Sequence, residues 1–153
     1  MNTELDDVKH ELKRHQLFLE WTKQAIDYFQ RESRKNAWPE YERGQVLWVD
    51  LGFNVGSELG GDRPAIVLLT SRATNNKVFV LPLTSQEPKT VFAHHLQFGK
   101  LPGLWKDSEW ASVYEVRYVS KLRTRLASDI HVSGDALDAI SEKIAKMICL
   151  RDS

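Results

Sequence analysis

Gln45-Val46-Leu47-Trp48-Val49-Asp50, Ala65-Ile66-Val67-Leu68-Leu69 and Lys77-Val78-Phe79-Val80-Leu81-Pro82-Leu83 decide the fold class. Branched and aromatic side chains dominate all three, and these are the residues that pack well on a pleated sheet. The second run is continuously apolar, long enough for a buried strand and too short for a helix. Asn75-Asn76 marks a turn ahead of the third run. Pro82 lacks a backbone N–H, so the third strand must end, bulge or lie at an edge there. Further along, residues 91–98 predict a fourth strand. Pro102-Gly103 opens a loop, residues 112–116 predict a fifth strand and residues 118–122 a short sixth. Short strands separated by turn signals predict a small antiparallel barrel.

Both flanks of this region read as helical. Residues 3–33 have an amphipathic pattern in which Leu5, Leu12, Leu19 and Ile26 fall seven residues apart, while Val8, His15, Thr22 and Phe29 fill the second heptad position imperfectly. Thr3 with Asp6 resembles a capping box. Such a helix either packs on its own domain or pairs with another chain. Pro39 interrupts the helical pattern, which divides the chain into an N-terminal helix, 1–36, and a main domain, 41–153. Ser133-Gly134-Asp135 leads into a second helix over 136–150, whose stripe of Leu137, Ile140, Ile144, Met147 and Ile148 is spaced to cover the sheet. The fold class is α+β, mostly β.

Composition narrows the function. Lys plus Arg number 21 and Asp plus Glu 21, so the formal net charge is zero and no global basic field draws nucleic acid. Local clustering must supply any such site. The single cysteine, Cys149, excludes an intrachain disulfide and reads as a packed thiol on a helix face. No apolar run reaches the ~18 residues of a membrane span, and the N-terminus lacks the basic-then-apolar pattern of a signal peptide. The expectation is a cytoplasmic protein without membrane contact.

The chemistry concentrates between the first two strands, in Val55-Gly56-Ser57-Glu58-Leu59-Gly60-Gly61-Asp62-Arg63-Pro64. Gly56, Gly60 and Gly61 permit positive φ and close approach of a ligand. Ser57 adds a hydroxyl, and Glu58 and Arg63 bring a carboxylate and a guanidinium. Arg63, held by Pro64 and the strand that follows, suits bidentate contact with phosphate. The third strand ends in Leu83-Thr84-Ser85-Gln86, whose hydroxyls and amide can donate to an anion. If strands two and three are neighbours, Arg63 and Thr84 approach each other. Arg117, Lys121, Arg123 and Arg125 share one parity, so an extended chain would align them along a phosphate backbone. Phe53, Trp105 and Trp110 fall in predicted loops and are candidates for stacking on unpaired bases. His94 and His95 are adjacent, so a strand would point them to opposite faces and prevent joint metal ligation. No cluster has metal-ligand spacing.

Taken together, 44–50, 56–68 and 81–86 resemble the MazF/PemK toxin family, as do Val116-Arg117-Tyr118-Val119-Ser120-Lys121 and the terminal helix. The resemblance runs from about Tyr41 to Leu150 and leaves the N-terminal helix outside. It implies an SH3-like barrel of the MazF/CcdB type and a ribosome-independent endoribonuclease that cuts single-stranded RNA at short sequences. It also implies a homodimer inhibited by a cognate antitoxin, and no metal or other cofactor. By motif position, Arg63 and Thr84 match the family's catalytic pair, and Glu58 matches an acid that some members use. Glu58 has two readings, a base or a group that orients Arg63. Arg63 itself suits charge stabilisation better than proton transfer, because a guanidinium has donors and no acceptor. Ser57, Gly60, Gly61, Ser85, Gln86, Arg117 and Lys121 are the candidate substrate contacts. The chain departs from the family in carrying Tyr114-Glu115 where members often have Asp-Gln. The alternatives are a non-catalytic toxin on the same fold, such as a gyrase inhibitor resembling CcdB, and a structural protein built around the heptad helix.

Overall fold

The computed structural model describes residues 3–104, 106 and 108–149. Among the described residues, helix α1 (Thr3–Glu32) leads to seven strands: β1 (Gln45–Asp50), β2 (Asp62–Val67), β3 (Lys77–Pro82), β4 (His95–Gly99), β5 (Glu109–Ser112), β6 (Arg117–Ser120) and β7 (Thr124–His131). Helix α2 (Gly134–Ile148) follows. Five strands form one antiparallel sheet in the order β6-β3-β2-β1-β7, and β4 pairs with β5 in a separate ribbon. The large sheet curls into a half-barrel, as the strand pattern predicts.

Both faces of the central strands are buried, which explains their continuous apolar runs. Val46 of β1 and Ile66 of β2 belong to a core with Leu81, Leu83, Ala111, Leu137 and Ile140. Their neighbours Leu47, Val49, Ala65 and Val67 point the other way, into a second core with Tyr41, Leu51, Val78 and Val80. Helix α2 covers the first core. Its N-cap is Ser133, whose side chain accepts from the Ala136 N–H at 3.2 Å. Leu137 and Ile140 are buried, but Ile148 at the far end of the predicted stripe is exposed, as is Cys149. The expectation of a packed thiol is therefore wrong: Cys149 caps the end of α2 and lines an open groove with Tyr114 and Met147.

Other boundaries move for identifiable reasons. Pro82 ends β3, and β6 pairs only with Lys77–Val80, so the missing N–H interrupts no ladder. The fourth strand begins at His95 rather than at residue 91. Residues 113–115, assigned to a strand from sequence, form a 3-10 turn because the Ser112 hydroxyl accepts from the Tyr114 N–H. β7 was not foreseen. It pairs with β1 through an irregular register, and its mixed polar sequence has no clear alternation.

Helix α1 buries none of its residues, and Leu5, Leu12, Leu19 and Ile26 are all more than half exposed. The domain does not cover the heptad face. Only the C-terminal half of the helix docks. Tyr28 donates to Asp50 Oδ2 at 2.9 Å, and burial together with that carboxylate raises the phenol to about 12. Trp21 lies under the Arg123 guanidinium at 5.0 Å and against Gly52. Phe18 meets Phe53 edge-on at 5.6 Å. Helix α1 thus props the root of the β1–β2 loop. No described helix is long and apolar enough to cross a membrane.

Gly52 makes this contact possible. Its φ is +76°, and a Cβ there would lie 2.5 Å from the Trp21 ring. Gly52→Ala is therefore expected to combine left-handed strain with overpacking and cost at least about 2 kcal/mol. For a chain of this size the melting temperature should fall by roughly 4–8 °C. An unchanged melting temperature would mean that Trp21 does not occupy this position.

Candidate functional site

β2 is the centre of the site. It lies between β1 and β3, with Arg63 paired to Val49 of β1. On its other side Ala65 pairs with Pro82, and the Leu83 N–H donates to the Pro64 carbonyl at 2.8 Å. Continuing that register places Thr84 across from Arg63. The meander anticipated from sequence therefore brings the two residues together: Arg63 Nη1 donates to Thr84 Oγ1 at 3.3 Å. Arg63 Nε also donates to the Gly60 carbonyl at 2.7 Å. The guanidinium plane is thus set in advance, and among the described residues no other acceptor takes its remaining donors.

Thr84 is equally constrained. Its oxygen also accepts from the Gln86 N–H at 3.2 Å. A hydroxyl has two acceptor lone pairs and one proton. With both lone pairs turned to N–H groups, the proton remains to donate. Backbone hydrogen bonds fix the residue as well, since its N–H donates to the Trp110 carbonyl at 2.8 Å and the Trp110 N–H donates back at 2.7 Å. This bridge joins the β4–β5 ribbon to the large sheet.

The two residues open onto a cleft of about 400 Å³ whose wall includes Trp48, Ser85, Lys106 and Glu109. That volume lies at the small end of the ~300–1,000 Å³ range of ligand sites. Glu109, on β5 beside the Thr84–Trp110 bridge, is 3% exposed, and its Oε2 has no hydrogen-bond partner. A buried unpaired acceptor of this kind costs about 1–3 kcal/mol. Burial pushes its carboxyl above the usual carboxylate range, opposed in smaller measure by Lys106 and Arg63. Sequence reasoning missed Glu109 and Trp48. Glu109 sits in a run, Ser108-Glu109-Trp110, that reads as a polar loop until pairing with β4 makes it a strand.

Not every candidate reaches this cleft. Ser85 lines it. Gln86 is exposed and contributes its N–H to Thr84. Ser57 and Glu58 lie exposed on the loop outside the cleft, and Glu58 makes no ion pair with Arg63. Gly60 is a glycine for an internal reason, since a Cβ would sit 2.8 Å from the Gly52 carbonyl oxygen. Its own carbonyl orients Arg63. Gly61 closes the loop neck by donating its N–H to Gly52 at 2.8 Å. These glycines serve backbone-to-backbone packing at the neck.

The row of cations does not exist as expected, because a 3-10 turn over Lys121–Arg123 breaks the parity between β6 and β7. Lys121 must be removed from the substrate contacts. It is 2% exposed, and its ammonium donates to the carbonyls of Pro39, Arg72 and Ser71 at 2.6, 2.9 and 3.2 Å. Arg117 pairs with Glu115, Arg123 donates to the Asp50 carbonyl at 2.7 Å, and Arg125 pairs with Asp62. Trp110 is a buried strand residue, not a loop residue. Phe53 packs on α1, and Trp105 lies outside the described residues. His94 precedes β4, so the two imidazoles do not point apart. Their centroids are 4.1 Å apart. Among the described residues no group of three or more His, Cys, Asp or Glu is placed to hold a metal ion.

Fold and cleft define a small barrel protein with a preset guanidinium–hydroxyl pair facing a concave surface. The model for the family of PemK-like, MazF-like toxins of type II toxin–antitoxin systems matches residues 42–148, and the chain belongs to that family. No curated protein matches it in sequence. Among solved structures, MazF from Deinococcus radiodurans superposes with a TM-score of 0.59 at 20% identity, covering 72% of this chain and 97% of that one. An endoribonuclease in complex with its cognate antitoxin, from a Mycobacterial species, gives 0.54 at 17%, covering 74% and 99%. The MazE–MazF complex of Deinococcus radiodurans gives 0.54 at 18%, with the same coverage. At these identities the structures speak to the fold alone.

The burial of Lys121 yields a test. Lys121→Met keeps the apolar stem but removes the ammonium from the Pro39, Ser71 and Arg72 carbonyls. Ser71 and Arg72 still accept from the Tyr41 and Asn75 N–H groups, so the cost should be about 1–3 kcal/mol. Urea unfolding should show the loss. A Lys121→Met protein of unchanged stability would contradict the buried position.

Proposed function

We propose that this toxin is a sequence-specific, metal-independent endoribonuclease that cleaves single-stranded RNA by attack of the 2′-hydroxyl. It acts as a homodimer in the cytoplasm and is restrained by a cognate antitoxin. One observation carries the reading: Arg63, held by the Gly60 carbonyl and Thr84, and Thr84 itself line one cleft.

RNA supplies its own nucleophile. The 2′-oxygen attacks phosphorus, the bond to the 5′-oxygen breaks, and the products are a 2′,3′-cyclic phosphate and a 5′-hydroxyl. Negative charge grows on the non-bridging oxygens as the new bond forms. Two planar N–H donors and one O–H donor, fixed before the substrate arrives, stabilise that charge without reorganising. Arg63 grips the phosphate as a fork, and Thr84 donates to a non-bridging oxygen. The 2′-hydroxyl is part of the substrate, so DNA of the same sequence cannot react. The CcdB-like alternative, a module that binds gyrase, has no need of a guanidinium–hydroxyl pair set in a cleft. Two structurally similar proteins, an endoribonuclease in complex with its cognate antitoxin and a MazE–MazF complex, support the antitoxin as partner.

Purified protein incubated with a long single-stranded RNA in EDTA should release discrete fragments with 5′-hydroxyl ends. Arg63→Ala should slow cleavage by about 100- to 1,000-fold, the usual loss when a charge-stabilising donor is removed. No cleavage across diverse RNAs by folded protein would overturn the assignment.

A further inference from the structure

Charge stabilisation alone leaves one requirement open, because attack by the 2′-oxygen releases a proton. Arg63 is a poor acceptor, since a guanidinium carries five N–H donors and no acceptor. Glu58 matches the position from which some family members draw an acid, but here it is exposed on the loop and outside the cleft. Two other carboxylates line the cleft: Asp62, which is paired with Arg125, and Glu109.

We propose that Glu109 is a catalytic residue, the general base that takes the proton from the attacking 2′-hydroxyl. The inference rests on the ribonuclease reading and extends it. Three observations support it. Glu109 lines the same cleft as Arg63, Thr84 and Ser85. It is 3% exposed, yet its Oε2 accepts no hydrogen bond. It is also fixed in position, because the next residue, Trp110, exchanges two backbone hydrogen bonds with Thr84. Buried carboxylates are ordinarily paired. One that lies beside an arginine without bonding to it, in a cleft, is arranged for something that arrives later. Burial raises its basicity, which brings it closer to neutral pH and makes it a better proton acceptor.

The step balances. Glu109, ionised, takes the 2′-OH proton as the bond from the 2′-oxygen to phosphorus forms. The phosphorus–O5′ bond breaks, its electron pair stays on the 5′-oxygen, and that oxygen takes a proton from water at the cleft mouth. Glu109 then returns its proton to solvent. No oxidant, reductant or further co-reactant is involved.

The test compares wild type with Glu109→Gln, which keeps shape and hydrogen-bonding capacity but cannot accept a proton. Cleavage at neutral pH should fall by about 100- to 10,000-fold. Affinity for an RNA carrying a 2′-deoxy nucleotide at the mapped scissile position should stay the same or tighten, because a negative charge has left the cleft. The acidic limb of the kcat/KM profile, where wild-type activity falls as Glu109 is protonated, should flatten in the residual activity. Wild-type-like cleavage by Glu109→Gln, or a retained acidic limb, would overturn the proposal while leaving the ribonuclease reading intact. Loss of the alkaline limb instead would make Glu109 an acid and also overturn it. If wild type cleaves no RNA, both readings fall together. Melting temperature guards against a folding artefact. A variant that melts well below wild type is replaced by Glu109→Asp, whose shortened carboxylate should keep the acidic limb with a reduced rate. If it keeps full activity or lacks the limb, the proposal fails.

Discussion

The reciprocal backbone pair between Thr84 and Trp110 is the constraint on which the site depends. The sheet and the β4–β5 ribbon are otherwise separate ladders. Where the two N–H···O bonds tie them, residues from three parts of the chain meet: Arg63 from β2, Thr84 from just beyond β3 and Glu109 from β5. Each is held by backbone pairing rather than by a flexible loop. Sites built in this way keep their geometry without a substrate, which is what electrostatic stabilisation requires. The loop between β1 and β2 supplies only the Gly60 carbonyl that orients Arg63.

Helix α1 has a defined place in this arrangement and an undefined face. Trp21, Tyr28 and Phe18 brace the root of the loop through Gly52, Asp50 and Phe53. No α1 residue lines the cleft, so the helix does not plug it. Its heptad positions remain exposed, a pattern that the intramolecular packing does not explain. The loop root is well supported: Asp50 takes Tyr28 and the Gly52 N–H on its carboxylate, and Arg123 on its carbonyl.

Much of this was legible in the sequence, for physical reasons. β1 was readable residue for residue, because a strand buried on both faces is an apolar run with sharp ends. Arg63 and Thr84 were readable because a meander of two adjacent strands fixes which residues oppose. Long-range features were not. Lys121 looks like any surface lysine until the fold folds three carbonyls around its ammonium. Glu109 gives no local signal, since its burial and its lack of a partner come from the ribbon docking on the sheet. The parity argument for the cations failed at a 3-10 turn set by the Ser120 hydroxyl, which accepts from the Leu122 N–H. Glycines invited a ligand-based reading that the packing of Gly60 against Gly52 explains more simply.

In the proposed reaction the scissile phosphate lies between Arg63 and Thr84, with Glu109 at the 2′ position. A crystal structure with an RNA oligonucleotide made uncleavable by a single 2′-deoxy nucleotide at the mapped scissile position tests this most directly. The expected result is non-bridging oxygens within hydrogen-bond reach of the Arg63 guanidinium and the Thr84 hydroxyl, and the Glu109 carboxylate facing the C2′ atom of the scissile ribose. A phosphate seated elsewhere on the barrel, with this cleft empty of RNA, would contradict it.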